Sequence, residues 1–322
     1  MSSRQVVVVP ADRTMNLQKL SDVSTLIAPD AADIHLVRVH PRDAWRPDED
    51  RRERSWRLYE NDSASIVTAR GRAGSHTAVR TVHLRGTPER IVPGYAQLTG
   101  ASAIILDRNY GSTRLWPSAA VAAHLSRWSP VPVLVLPASE SALERVSGRR
   151  IRRIVAPLNF TVASAVGLQT AVDLAREHDA ELAMLHAIQG VPDHLAVSGG
   201  EARRIIEQLA RQQRTVARRL QYQVKGLGYG DAESKVVTGD PVAAIVSAVA
   251  EADADIIVIA ASPRTRLDRF VFGSTLDGVL RRVDVPVLVV PVMGGEERWP
   301  EDTVGPRLAP YLRSDFLADR AA

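Results

Sequence analysis

One internal duplication constrains this chain more than anything else in it. "SPVPVLVLP" ends at Pro137 and "VDVPVLVVP" ends at Pro291. Upstream of each lies a second matched pair, "VHLRGTPERIV" from Val82 and "KVVTGDPVAAIV" from Lys235. "GASAIIL" from Gly100 then matches "DADIIVI" from Asp253, and "VVVVPAD" from Val6 matches "RIVAPLN" from Arg153. Four pairs in the same order mean that one plan is used twice, so each half must form a similar unit. The expected layout is a first domain over 1–140, a linker over 141–150, a second domain over 151–293 and an irregular tail over 294–322. With 322 residues, each half is long enough to bury its own core.

The second half shows the plan more clearly. Apolar runs such as Ile256-Ile257-Val258-Ile259 alternate with stretches of helical spacing such as Ser164–Asp179 and the long segment Gly200–Gly228. Near-continuous Val/Ile runs describe strands buried on both faces, and strand–helix alternation describes βαβ units. The expected fold class is α/β: two similar doubly wound domains, each with a mainly parallel five-stranded sheet flanked by helices. Ligands of such sheets bind beyond the carboxyl ends of the strands, at the switch point. The connection Pro41–Thr81 has little periodicity and reads as a solvated helix or a partly disordered segment.

Composition removes several classes of chemistry. Without cysteine there is no disulfide, thiolate metal site or thiol nucleophile. No HExxH pair, GxSxG elbow or GxxxxGK[ST] loop occurs. His186 and His124 read as structural residues, and Asp253 and Asp255 as solvated ones. "GLGYG" from Gly226 follows a helix, so its glycines read as a helix end instead of a dinucleotide loop. The first residues do not form a signal peptide, and no apolar run is long enough for a membrane helix, so a cytoplasmic protein without a membrane partner is expected. Net charge is +4, and a nucleic-acid partner is not expected unless the charge is gathered on one face, which the total cannot show. The arginines of the long helix read as an ordinary exposed face.

The loops at the strand ends remain as candidates. Residues 152–292 resemble a universal stress protein domain on four features. These are the strand running into Pro157-Leu158-Asn159, the segment Gly239-Asp240-Pro241, the stretch "AASPRTRLDRFVFGST" ending in Gly273-Ser274-Thr275, and the closing strand Val285–Val290. The first half resembles the family more faintly, so the chain resembles a tandem universal stress protein. The resemblance implies a non-catalytic, stress-linked regulatory protein that dimerises through its last strands, here as an internal pseudo-dimer or as a homodimer. It also implies ATP, with Mg²⁺, held in a loop of two glycines three apart, nine further residues, then Gly-Ser or Gly-Thr. The implied nucleotide-binding positions are Pro157, Asn159, Gly239, Asp240, Arg264, Gly273, Ser274 and Thr275 in the second half and Asp12 in the first. Two positions depart from the pattern: Ala260 and Pro263 stand where the first two glycines belong, and proline removes an N–H donor. The expected outcome is weak or remodelled ATP binding. The alternatives are a partner- or ligand-binding module without nucleotide and, behind it, a slow ATPase.

Overall fold

The computed structural model describes residues 5–10, 23–24, 33–40, 67–70, 76–108, 110, 118–137, 139, 150–188, 199–230, 232–261 and 273–292. They fall into two compact units, one within Met1–Ala138 and one within Ser139–Val292.

The first unit contains β1 (Val6–Pro10), β2 (Asp33–His40), β3 (Val67–Arg70), β4 (His76–Arg85), α1 (Pro88–Thr99), β5 (Ala103–Asp107), α2 (Ser118–Trp128) and β6 (Val133–Leu136). Its strands lie in the order β3-β4-β2-β1-β5-β6. All pairings are parallel except that of β3 with β4. This sheet therefore carries one strand beyond the expected five. Both β3 and the start of β4 fall in the connection Pro41–Thr81, which the sequence suggested was helix or disorder. The physical reason is legible afterwards: His76–Arg85 carries β-branched and apolar residues on both faces, Val79 and Leu84 being buried on opposite ones, so it shows no single period.

The second unit contains β7 (Arg153–Pro157), α3 (Val162–His178), β8 (Glu181–Ile188), α4 (Gly199–Gly226), β9 (Glu233–Thr238), α5 (Pro241–Glu251), β10 (Ile256–Ala261), α6 (Gly273–Arg282) and β11 (Val287–Pro291). Its five strands are all parallel, in the order β11-β10-β7-β8-β9. The chain starts at a central strand, moves outward one way, then returns and moves out the other way. The switch point lies between β7 and β10, and between β1 and β5 in the first unit.

The core is the set of strands read from the Val/Ile runs. Val7, Val8 and Val9 of β1, Ile257 of β10 and Val289 of β11 are fully buried. Each such side chain contributes about 1.5–3 kcal/mol relative to exposure. Local sequence ends the helices where expected. Gly228 takes φ +69, its N–H donates to the Lys225 carbonyl at 2.9 Å, and the Tyr229 N–H donates to that of Val224 at 3.2 Å. "GLGYG" is thus a left-handed helix cap.

The duplication is also visible in backbone conformation. Gly86 has φ +146 and Gly239 has φ +133. Each is followed by the N-cap residue of a helix (Thr87 or Asp240) and by proline in the first turn.

Asp253 is solvated, as read from the sequence, with its side chain 81% exposed, and Asp255 holds surface backbone groups at the start of β7. The Asp255 carboxylate accepts from the backbone N–H of Arg152 at 2.7 Å and of Arg153 at 3.0 Å. Asp253 pairs with the Arg153 guanidinium at 3.3 Å. Strands β7 and β10 are neighbours, so their amino ends bring these groups together.

Candidate functional site

The crevice of the second unit is framed at the carboxyl ends of β7 and β10. Pro157 is the last residue of β7, and Leu158 N–H still donates to the Leu185 carbonyl of the adjacent strand at 2.8 Å. The chain then turns sharply. Asn159 Oδ1 accepts from the Thr161 N–H at 3.3 Å and from the Thr161 hydroxyl at 2.7 Å. Thr161 is the N-cap of α3, its Oγ1 accepting from the Ser164 N–H at 3.2 Å. Asn159 is therefore committed on its oxygen side, and its amide N–H groups are the part it can offer a ligand.

Between these two residues Phe160 adopts φ +62, a left-handed conformation that a non-glycine residue takes at a cost on the order of 1–2 kcal/mol. Contacts of its ring offset that cost. The His186 ring lies 4.7 Å away between centroids, and the Arg219 guanidinium sits 4.2 Å over the Phe160 centroid. His186 is near the carboxyl end of β8, and its Nδ1 is 2.7 Å from the Leu158 carbonyl. That acceptor places the ring proton on Nδ1. His186 thus has the structural role read from the sequence, at the edge of the crevice.

The switch-point strand β10 shows how Ala260 is packed. Ala260 stands where the family pattern has its first glycine, yet it is a strand residue. It is in register with Val290 of β11, and the following Ala261 carbonyl accepts from Val292 N–H at 2.7 Å. Its methyl group is turned onto α3, where a β-carbon added to Gly167 would lie 3.0 Å from it. The alanine is accommodated by a glycine on the facing helix, and the chain leaves the sheet only after Ala261.

Gly273, Ser274 and Thr275 form the first turn of α6, which follows β10 and so starts at the carboxyl edge of the sheet. Pro157 and Asn159 end the neighbouring strand β7 at that same edge. Gly239 and Asp240 follow β9, two strands from β7, about 10 Å away across the sheet. Gly239 N–H donates to the Ile188 carbonyl at 2.9 Å, and the Asp240 carboxylate caps α5 by accepting from Ala243 N–H at 2.8 Å. Arg264 and Pro263 lie outside the described residues, as does Asp12. Among the described residues no group of three or more His, Asp or Glu could hold a metal ion. No described helix is long and apolar enough to cross a membrane.

The first unit differs at the equivalent place. Its matched segment puts Asp107, the last residue of β5, where the second unit has Ala260. A carboxylate at a switch point opposes a phosphate group.

Sequence reasoning missed Phe160 and Arg219. Phe160 carries no motif of its own, and Arg219 is one of many exposed arginines on α4. Contact across three elements is what distinguishes them.

Comparison with known proteins follows the same division of the chain. Residues 150–291 match the model described as the universal stress protein family. A universal stress protein of Methanocaldococcus jannaschii is 25% identical over 139 residues, 43% of this chain and 81% of that one. Among solved structures, a universal stress protein of Archaeoglobus fulgidus has 18% identity and a TM-score of 0.58, with 91% of this chain and 97% of that one covered. A functionally unknown protein of Pseudomonas aeruginosa has 18% identity and a TM-score of 0.57, covering 90% and 93%. At these identities the structural likeness is one of fold, and it extends over both units.

Proposed function

Because residues 150–291 match the universal stress protein family, we propose that the chain is a non-catalytic tandem regulatory module of the stress response whose second unit holds an adenine nucleotide weakly. The observation that carries this reading is the switch point. There α6 begins at Gly273 on the same carboxyl edge of the sheet as the Asn159 turn that ends the neighbouring strand, and we place its helix-end amides and the Asn159 amide around one crevice. Ala260 does not obstruct it, since its methyl group packs on α3. The first unit, with Asp107 at the matching position, serves as a structural partner and not as a second nucleotide site.

The test is direct. The purified chain is denatured and the supernatant examined by mass spectrometry for adenine nucleotide, and ATP is then titrated by calorimetry with and without Mg²⁺. Released nucleotide or a binding heat supports the proposal. The absence of both a released nucleotide and a binding heat at millimolar ATP would remove it.

One observation favours a second reading, a partner- or ligand-binding module without nucleotide. The Asn159 oxygen is engaged by Thr161, the N-cap of α3, and the Asp240 carboxylate caps α5. They have less to offer a nucleoside than the family pattern implies.

The proposal includes internal pairing. Within its own unit, β6 has a partner in β5 only, and β11 in β10 only. A sheet edge of this kind invites a further strand. We place the two last strands against each other as a pseudo-dimer. Separately expressed halves should then associate or aggregate, and well-behaved monomeric halves in sedimentation would count against it.

A further inference from the structure

Helix α4 gathers the charge of this chain. Between Gly199 and Gly226 it carries six arginines and one lysine against two glutamates, a net of +5, while the whole chain has a net charge of +4. The rest of the molecule is close to neutral. The net positive excess of the chain is thus matched by this one element, although 34 of its 41 Lys and Arg lie elsewhere.

Its arrangement on that element is regular. Leu220 and Val224 are buried, which fixes the inward side of the helix. At about 100° per residue, Arg204, Arg211, Arg218 and Lys225 fall on the opposite side, each seven residues after the last. That spacing puts one cation every ~10.5 Å along a straight line of about 32 Å. All four are exposed, as is Arg214 beside them. Arg204, Arg211, Arg214 and Arg218 have no carboxylate partner among the described residues. The glutamate on this face, Glu207, is engaged by Arg203 at 3.3 Å. Tyr222 stands one helical turn from Arg218 and is 81% exposed, with its ring in solvent.

We propose that this outer face of α4 is a binding surface for single-stranded nucleic acid, contacted through its phosphates by the arginine line and through a base by Tyr222. Repeated cations, with one glutamate among them that is itself paired with Arg203, match a repeating polyanion, and a solvent-facing aromatic ring between them is a stacking platform. Other partners fit less well. An anionic membrane would need apolar residues beside the cations, and Ile205, Ile206 and Leu209 lie on the other side of the helix. A protein partner would need an apolar patch at the centre of the face, where this one has arginines. The surface is separate from the nucleotide crevice, so the two proposals stand or fall independently.

The experiment uses the full chain and a fluorescein-labelled single-stranded RNA of mixed sequence, about 20 nucleotides long, with binding followed by anisotropy from roughly 25 to 200 mM NaCl. Four phosphate contacts give a slope of log Kobs against log salt of about −3. The triple variant Arg204→Gln/Arg211→Gln/Arg218→Gln, altered only at exposed positions, should reduce that slope by about 2 with an unchanged circular dichroism spectrum. Tyr222→Ala should weaken single-stranded binding at least about fivefold and leave a duplex of equal length unaffected. An absence of binding at the lowest salt, an unchanged slope in the triple variant, or preferential binding of phosphatidylserine vesicles over the RNA would each overturn the proposal.

Discussion

A β-carbon placed on Gly167 of α3 would come within 3.0 Å of the Ala260 β-carbon and 3.2 Å of the Ala260 backbone nitrogen in β10. These two residues let the helix lie almost against the strand at the switch point. They also show how alanine fits at a position where the family pattern has glycine: the facing helix residue has no side chain.

The first prediction follows from that contact. Gly167→Ala improves intrinsic helix propensity by about 1 kcal/mol, yet it should destabilise the second unit by roughly 1–3 kcal/mol through overpacking. Adding Ala260→Gly should recover part of the loss, because the two changes share one contact. Urea denaturation of the two single variants and the double variant measures the coupling. Strict additivity would mean that the helix relaxes away without cost.

The two duplicated glycines should respond unequally. Alanine at either Gly86 or Gly239 must adopt a φ that L-residues rarely take, a cost on the order of 1–3 kcal/mol. At Gly86 the new β-carbon would also lie 2.8 Å from Ile91 Cγ1, whereas at Gly239 nothing lies within 4 Å. Gly86→Ala should therefore lower the urea midpoint more than Gly239→Ala. The reverse order would mean that backbone strain outweighs the collision.

Acid should weaken the first unit through His35. Its ring shares a hydrogen bond of 3.0 Å with the Tyr95 hydroxyl, and both side chains are buried. Burial, with the nearby Arg80 charge adding to it, lowers the His35 pKa to about 4 from its usual 6.5. The folded state thus resists a proton that the unfolded chain accepts. Above about pH 6.5 neither state is protonated and the residue has no effect on stability. As pH falls from there towards 4, the unfolded state gains the proton alone, and stability drops by up to about 3 kcal/mol. His35→Gln removes the titration and keeps a polar partner for Tyr95, so its stability should fall less steeply over that window. Parallel slopes for the variant and the parent would remove His35 from the account.

The fold was largely legible because duplication and Val/Ile runs are properties of the chain itself. Buried strands such as Ile256–Ala261 need long apolar runs, and such runs are rare elsewhere in the sequence. β3 escaped notice because "VTAR" is too short to show a period. The candidate site was legible only in its backbone-determined parts. Gly239, with its positive φ, and Asp240-Pro241, at a helix start, follow from local chemistry. The stack of Arg219 on Phe160 joins residues 59 positions apart and depends on tertiary packing. The packing of Ala260 on Gly167 was not legible for the same reason, since the two residues sit on different elements.

The last prediction concerns α6. Gly273 opens this helix at the carboxyl edge of the sheet, so its first-turn N–H groups are the donors available to an anion in the crevice. An aspartate there would add a negative charge within the first turn. That charge is favourable to the helix itself, since it faces the positive end of the dipole. It is unfavourable to a phosphate bound at the same amides. Gly273→Asp should therefore leave thermal stability unchanged or slightly raised while abolishing any ATP binding heat in calorimetry. The opposing signs separate a local electrostatic effect from general damage to the fold. Unchanged ATP affinity with a preserved fold would show that any nucleotide bound to this chain sits away from α6.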